Sequence, residues 1–143
     1  IRYYCQQLRL KLIILLRSSM TNHFPEEEQL YRAVYPPEVN KMFWKDDNHV
    51  SSAAFLDKKG LSVESGNFRS DKDVVNDMRK NFMGAIVSIT VKLCHQTDAT
   101  VLYKPTKRSI YHSEIHGTTK NIVLNHNQRR FLSENCCIVK ENA

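Results

Sequence analysis

Two hydrophobic rhythms run along the chain, a period of two in some stretches and helical spacing in others. Leu30 to Tyr35 (LYRAVY) is aromatic and β-compatible. It runs into Pro36-Pro37, which cannot continue a ladder, so it predicts a strand. Glu38 to Trp44 suggests a single helical turn, followed by a polar loop at Lys45-Asp46-Asp47-Asn48. Ser51 to Phe55 and Leu61 to Glu64 flank Asp57-Lys58-Lys59-Gly60, a turn-forming tetrapeptide, and read as a hairpin. Ser70 stands at an N-cap position before Asp71 and Asp73, whose charges suit a helix N-terminus. Val74, Val75, Met78 and Phe82 then recur with helical spacing, predicting an amphipathic helix that ends near Gly84.

Ala85 to Leu93 (AIVSITVKL) is the most strand-like run, with one face more polar than the other. Thr100 to Tyr103 predicts a further strand before Pro105. Leu124 to Ser133 predicts a helix carrying Leu124, Gln128, Phe131 and Leu132 on one side, and Cys136 to Val139 a strand that closes the sheet. Asn121 to Val123 fits no single element. Strands with segregated helices argue for an α+β fold, a small, mostly antiparallel sheet with two or three helices. No internal repeat or linker is visible.

Length fits one domain: 143 residues can bury a core without metals or disulfides. Residues 1–19 stand apart. They hold Arg2, Arg9, Lys11 and Arg17 without an acidic residue, and Leu12 to Leu16 is too short a run to span a bilayer or serve as a signal peptide core. This stretch reads as a non-native or disordered leader, with the single domain over residues 20–143. The formal charge of +6 therefore means less than it suggests. Outside the leader, 17 basic residues (21 less 4) face 15 acidic ones, leaving +2. A nucleic-acid partner is not expected on this balance, although Lys104, Lys107 and Arg108 beside Tyr103 and Tyr111 form a small basic patch of the kind that binds single strands weakly.

Cys5, Cys94, Cys136 and Cys137 show no C-x-x-C spacing, and small buried thiols in a reducing, cytoplasmic compartment are the expectation. There is no P-loop, no Gly-rich dinucleotide fingerprint and no G-x-S-x-G elbow.

Three places could carry chemistry. Tyr111-His112-Ser113-Glu114-Ile115-His116-Gly117 packs two histidines and a carboxylate into seven residues, but not in zincin order, and no metal is expected there. On a helix His112 and His116 would share a face; on a strand His112, Glu114 and His116 would, forming an acid–base set. Arg32 lies inside an apolar run, and its planar fork suits a phosphate or carboxylate. Ser51 and Ser52 precede Ala53-Ala54-Phe55, where paired hydroxyls could meet a ligand or end a loop. The residues expected to bind a ligand are Tyr31, Arg32, Tyr111, His112 and His116.

Tyr31-Arg32, Ser51-Ser52-Ala53-Ala54-Phe55, Leu61-Ser62-Val63, Pro105 and Tyr111-His112-Ser113-Glu114-Ile115-x-Gly117 together resemble a family of short bacterial proteins that carry no assigned activity. The likeness covers about residues 30–117 and implies a bacterial or phage protein, transferring no catalytic residue. The order of Tyr-Arg strand, serine segment and late carboxylate is also similar to ADP-ribosyltransferases and related NAD-consuming toxins. That similarity implies NAD as cofactor, with Arg32 holding it, Ser51 or Ser52 bracing the site and Glu114 catalytic. The chain departs from that pattern in lacking a Glu-x-Glu pair and a Ser-Thr-Ser segment. Two functions follow as expectations. The first is an accessory protein without cofactor whose polar site holds an anionic ligand or a protein partner; the second is a toxin or defence enzyme that consumes NAD.

Overall fold

The computed structural model describes residues 24–141. Their architecture is the expected α+β class: a six-stranded antiparallel sheet, a two-stranded hairpin and three helices. Strand β1 (Gln29–Val34) lies inside the sheet. The hairpin is β2 (Trp44–Asp46) with β3 (His49–Val50). Then come β4 (Leu61–Ser65), α1 (Asp71–Met78), β5 (Ala85–Thr90), α2 (Val91–Gln96), β6 (Thr100–Tyr103), β7 (His112–His116), α3 (His126–Asn135) and β8 (Cys137–Ile138). The sheet order is β6-β7-β4-β1-β5-β8.

Alternation along β1 divides the core in two. Leu30 and Val34 face a large cluster with Phe55, Leu61, Val63, Ile89, Ile115 and Leu132. Tyr31 faces the other way, against Val74, Val75 and Met78 of α1 and Ile86 of β5. Side chains at successive strand positions point to opposite faces, so one short segment serves both layers. Ser70 caps α1 as expected, its hydroxyl accepting from the Asp73 amide.

Several boundaries differ from the sequence reading, each for a local reason. Ser51 to Phe55 is not a strand. Residues Ser52–Phe55 form a 3₁₀ turn, closed by Ala54 N–H to Ser51 and Leu56 N–H to Ala53, and the expected hairpin with β4 does not form. The actual hairpin turns where a polar loop was expected, at residues 46–49, with the Asp46 carboxylate accepting from the Asn48 amide at 2.8 Å. The run 85–93 changes state at Thr90, whose hydroxyl accepts from the Leu93 amide and starts α2. A β-branched stretch gives no sign of this, because Val91 is as β-compatible as Val87. Helix α1 stops at Met78, so Phe82 lies beyond it and is half exposed. Helix α3 starts later than predicted, at a capping box in which Asn125 and Gln128 satisfy each other's amides. The segment left between helix and strand, 112–116, is a strand. The cysteines are mixed rather than uniformly buried: Cys94 is buried, Cys136 partly so and Cys137 exposed. The leader expected at 1–19 lies outside the described residues. Among the described residues no helix is long and apolar enough to cross a membrane.

Candidate functional site: a basic cavity where two strands part

The site starts from an irregularity in the sheet. Strand β1 pairs with β5 over all six of its residues. With β4 it pairs only at Leu30–Ser65 and Tyr31–Glu64, and beyond Tyr31 no further pair forms. Arg32 stands at the point of parting. Its Nε donates to the Ala54 carbonyl at 2.8 Å and its Nη1 to the Ser62 carbonyl at 2.9 Å. Both acceptors are main-chain oxygens, so the guanidinium takes over hydrogen bonding in the gap. It finds no carboxylate within ion-pair distance among the described residues, and Nη2 donates to none of them. Burial pushes the Arg32 pKa down from its ordinary value, partly offset by the charge of Asp57. A half-buried cation that is hydrogen-bonded but not neutralised attracts an anion.

That anion has a place to sit. A cavity of about 860 Å³ opens over β1, β4 and β7. Its floor includes Tyr31, Glu64 and His112, brought onto one face because Tyr31 pairs with Glu64 and Glu64 with His112. One wall is the end of α1 and the turn after it, from Asp77 to Phe82; the other is the loop from Thr106 to Tyr111. Five basic side chains line it (Arg32, Arg69, Lys80, Lys107 and Arg108) against two acidic ones, Glu64 and Asp77.

The two carboxylates are already engaged. Asp77 accepts from Arg69 at 2.7 Å, with Lys80 at 3.4 Å. Glu64 accepts from the Ser109 hydroxyl at 2.6 Å and lies 3.6 Å from Arg69. Arg69 also donates to the Ser65 and Gly66 carbonyls and lies 3.6 Å from the centroid of the Tyr111 ring. Arg69 is thus a structural cross-tie that holds the 66–69 turn, α1 and the 106–111 loop together. Lys107 and Arg108, at the exposed tip of that loop, have no ion-pair partner among the described residues. The loop beneath them is fixed by the Tyr103 hydroxyl donating to Ile110 and by paired bonds between Thr106 and Ser109. The positive charge that remains available in the cavity comes from Arg32, Lys107 and Arg108.

His112 has a defined tautomer. Its Nδ1 lies 2.7 Å from the Lys104 carbonyl, which can only accept, so Nδ1 carries the hydrogen and Nε2 holds the lone pair in the neutral ring. Tyr31 is buried, and its hydroxyl donates to Asp71. Burial and that carboxylate push its pKa well above the ordinary tyrosine range, so it contributes a neutral ring to the floor.

Four of the five residues expected to bind a ligand therefore line this cavity: Tyr31, Arg32, Tyr111 and His112. His116 does not. It shares a face of β7 with His112 and Glu114, as a strand requires, but its Nε2 lies 2.8 Å from Glu114 Oε1. This pair is mostly buried beneath Gly60. Gly60 has φ +101, a conformation that strains any residue with a side chain, and a Cβ there would stand 2.6 Å from the Glu114 carboxylate and displace it. Among the described residues no three His, Cys, Asp or Glu side chains gather as a metal-binding group. Ser51 and Ser52 lie on the opposite side of the sheet, beside Val50, Ala54 and Phe55 of the larger core, and the Ser51 hydroxyl donates to the Met42 carbonyl. Arg32, the serine pair and Glu114 are therefore not gathered in the cavity; of the four, only Arg32 lines it.

Comparison with family models, with curated proteins and with solved structures finds no match to this chain. The functional reading rests on the geometry alone. Arg69 and Lys80 look like ordinary surface positions until α1 and the 66–69 turn bring them against the loop, and Phe82, expected on the apolar face of a longer helix, reaches the cavity because α1 stops at Met78. Lys107 and Arg108 were visible only as a basic patch.

Proposed function

We propose that this protein binds an anionic small molecule in the cavity over β1, β4 and β7. Arg32 is the observation that carries the reading. A guanidinium held by two carbonyls in the gap between β1 and β4 lines the cavity, has no carboxylate within ion-pair distance among the described residues, and carries a charge that the more distant Asp57 only partly offsets. Lys107 and Arg108 add exposed positive charge at the rim, and His112 offers its Nε2 lone pair as a hydrogen-bond acceptor. The volume is within the roughly 300–1,000 Å³ that small-molecule sites occupy, and the lining mixes apolar surface with a few directed polar groups as such sites do.

Calorimetric titration of the full chain with inorganic pyrophosphate at low and moderate salt tests this. The expected result is saturable binding that weakens with salt and falls about tenfold or more in Arg32→Met, the loss typical of a charge-assisted bond. Binding unchanged in that variant, or no binding at low salt by folded protein, would refute it.

A further inference from the structure

We infer that the occupant of the cavity is a nucleotide, a flat heterocycle carrying a phosphate, rather than a simple phosphate or sugar phosphate. This rests on the anion-binding reading above and adds to it a second part of the ligand.

Three observations point to a ring. The first is size. About 860 Å³ is far more space than a bare phosphate fills. The second is Phe82. It lines the cavity yet is 52% exposed, because α1 ended one turn before it and left it out of both core clusters. An aromatic face in the wall of a basic cavity offers a stacking surface that no aliphatic anion uses. The third is the Arg69–Tyr111 stack at 3.6 Å, whose two planar groups both line the same space. Arg69 is fixed by Asp77 and by the carbonyls of Ser65 and Gly66, and the Tyr111 main chain by its N–H donating to Ser109 Oγ at 3.1 Å. A heterocycle laid against this rigid stack or on Phe82 loses little protein entropy on binding. Stacking of a base on an aromatic side chain tolerates every base, since each has a π-face. Cations for a phosphate and rings for a base are thus combined in one cavity.

The test compares ligands that differ by one part. Adenosine and uridine monophosphates, ribose 5-phosphate and inorganic phosphate are titrated into the full chain by calorimetry. Both nucleotides are expected to bind about tenfold or more tightly than ribose 5-phosphate, the size of one stacking contact. Phe82→Ala removes only a half-exposed side chain, so the fold is kept, and it is expected to bring the nucleotides toward the sugar phosphate without weakening the latter. Tyr111→Leu is expected to do the same, with thermal unfolding reporting its integrity. Arg32→Met is expected to weaken all four ligands together. If ribose 5-phosphate binds as tightly as the nucleotides, the ring inference is overturned while the anion reading stands. A nucleotide preference that survives both aromatic substitutions also overturns it, because the base would then rest elsewhere. Failure of every ligand to bind removes both readings.

Discussion

The two flanks of β1 are built from the same six residues and behave differently. Toward β5 the ladder is complete, running from Gln29–Thr90 to Val34–Ala85. It ends where Gly84, at φ +92, lets the chain pass so close to the Val34 carbonyl that a Cβ would stand 2.2 Å from it. Toward β4 the ladder stops after two pairs, and a side chain takes over. One flank is joined by main chain alone and holds the two core layers together. The other is held partly by Arg32, and the cavity opens there. A sheet can tolerate such a break only where something satisfies the exposed carbonyls. A cation that does so brings a positive charge to the same spot.

The largest expected effect lies in the part of β1 that is paired on both sides. Leu30→Ala removes a fully buried side chain beside the β5 ladder. It should lower unfolding free energy in urea by about 2–5 kcal/mol, with no effect on anion affinity in protein that remains folded. Next is Arg69→Ala, which removes the cross-tie between the 66–69 turn, α1 and the 106–111 loop. A loss of about 2 kcal/mol is expected, with increased hydrogen exchange confined to residues 104–111. Uniform exchange across the sheet would show that the loop is not held this way. Arg32→Met reverses the pattern of Leu30→Ala. It loses two hydrogen bonds but also a desolvated cation, so stability should change by only about 1 kcal/mol while anion binding collapses. Equal sensitivity of both positions in both assays would end the comparison.

A smaller effect checks a region away from either flank. The Asn48 amide, and after it His49, hold the Asp46 carboxyl below its ordinary pKa. A carboxyl lowered in the folded state stabilises above its unfolded pKa, about 3.9, and that contribution is lost as pH falls through the lower folded value. Below about pH 4 the β2–β3 hairpin should therefore loosen, as followed by Trp44 fluorescence, and Asp46→Ala should abolish that acid response. The smallest expected signal is chemical. Burial pushes the Cys94 thiol up to about 12, so iodoacetamide at pH 8 should spare it and label the exposed Cys137, as read by peptide mapping.

The fold class was legible because strand and helix periods are distinct over most of the chain. Where the reading slipped, the deciding contact was either a single cap or a tertiary one. Thr90 ends a strand by capping a helix, and no hydrophobic period records that. Ser51 to Phe55 has strand composition, but its 3₁₀ turn packs against α3 and leaves the sheet to β4 and β7. In the site, Arg32 was legible because a lone charge in an apolar run must be satisfied somewhere. Tyr111 and His112 were legible as a dense polar cluster. Glu114 and His116 belonged to the same cluster, yet side-chain alternation cannot say that they would bond to each other beneath Gly60. Arg69 carried no signal at all, since its role depends on three segments meeting.

The sheet ends on β6 at one side and β8 at the other, strands of four and two residues. Beyond β6 the chain passes Lys104 to Pro105, and beyond β8 it reaches Lys140 within two residues. An incoming chain would find only a few unpaired amides and carbonyls in a row at either border, bounded by a charge or a missing donor. Growth of the sheet into fibres by edge-to-edge addition is thereby discouraged at both ends, even when the protein is concentrated.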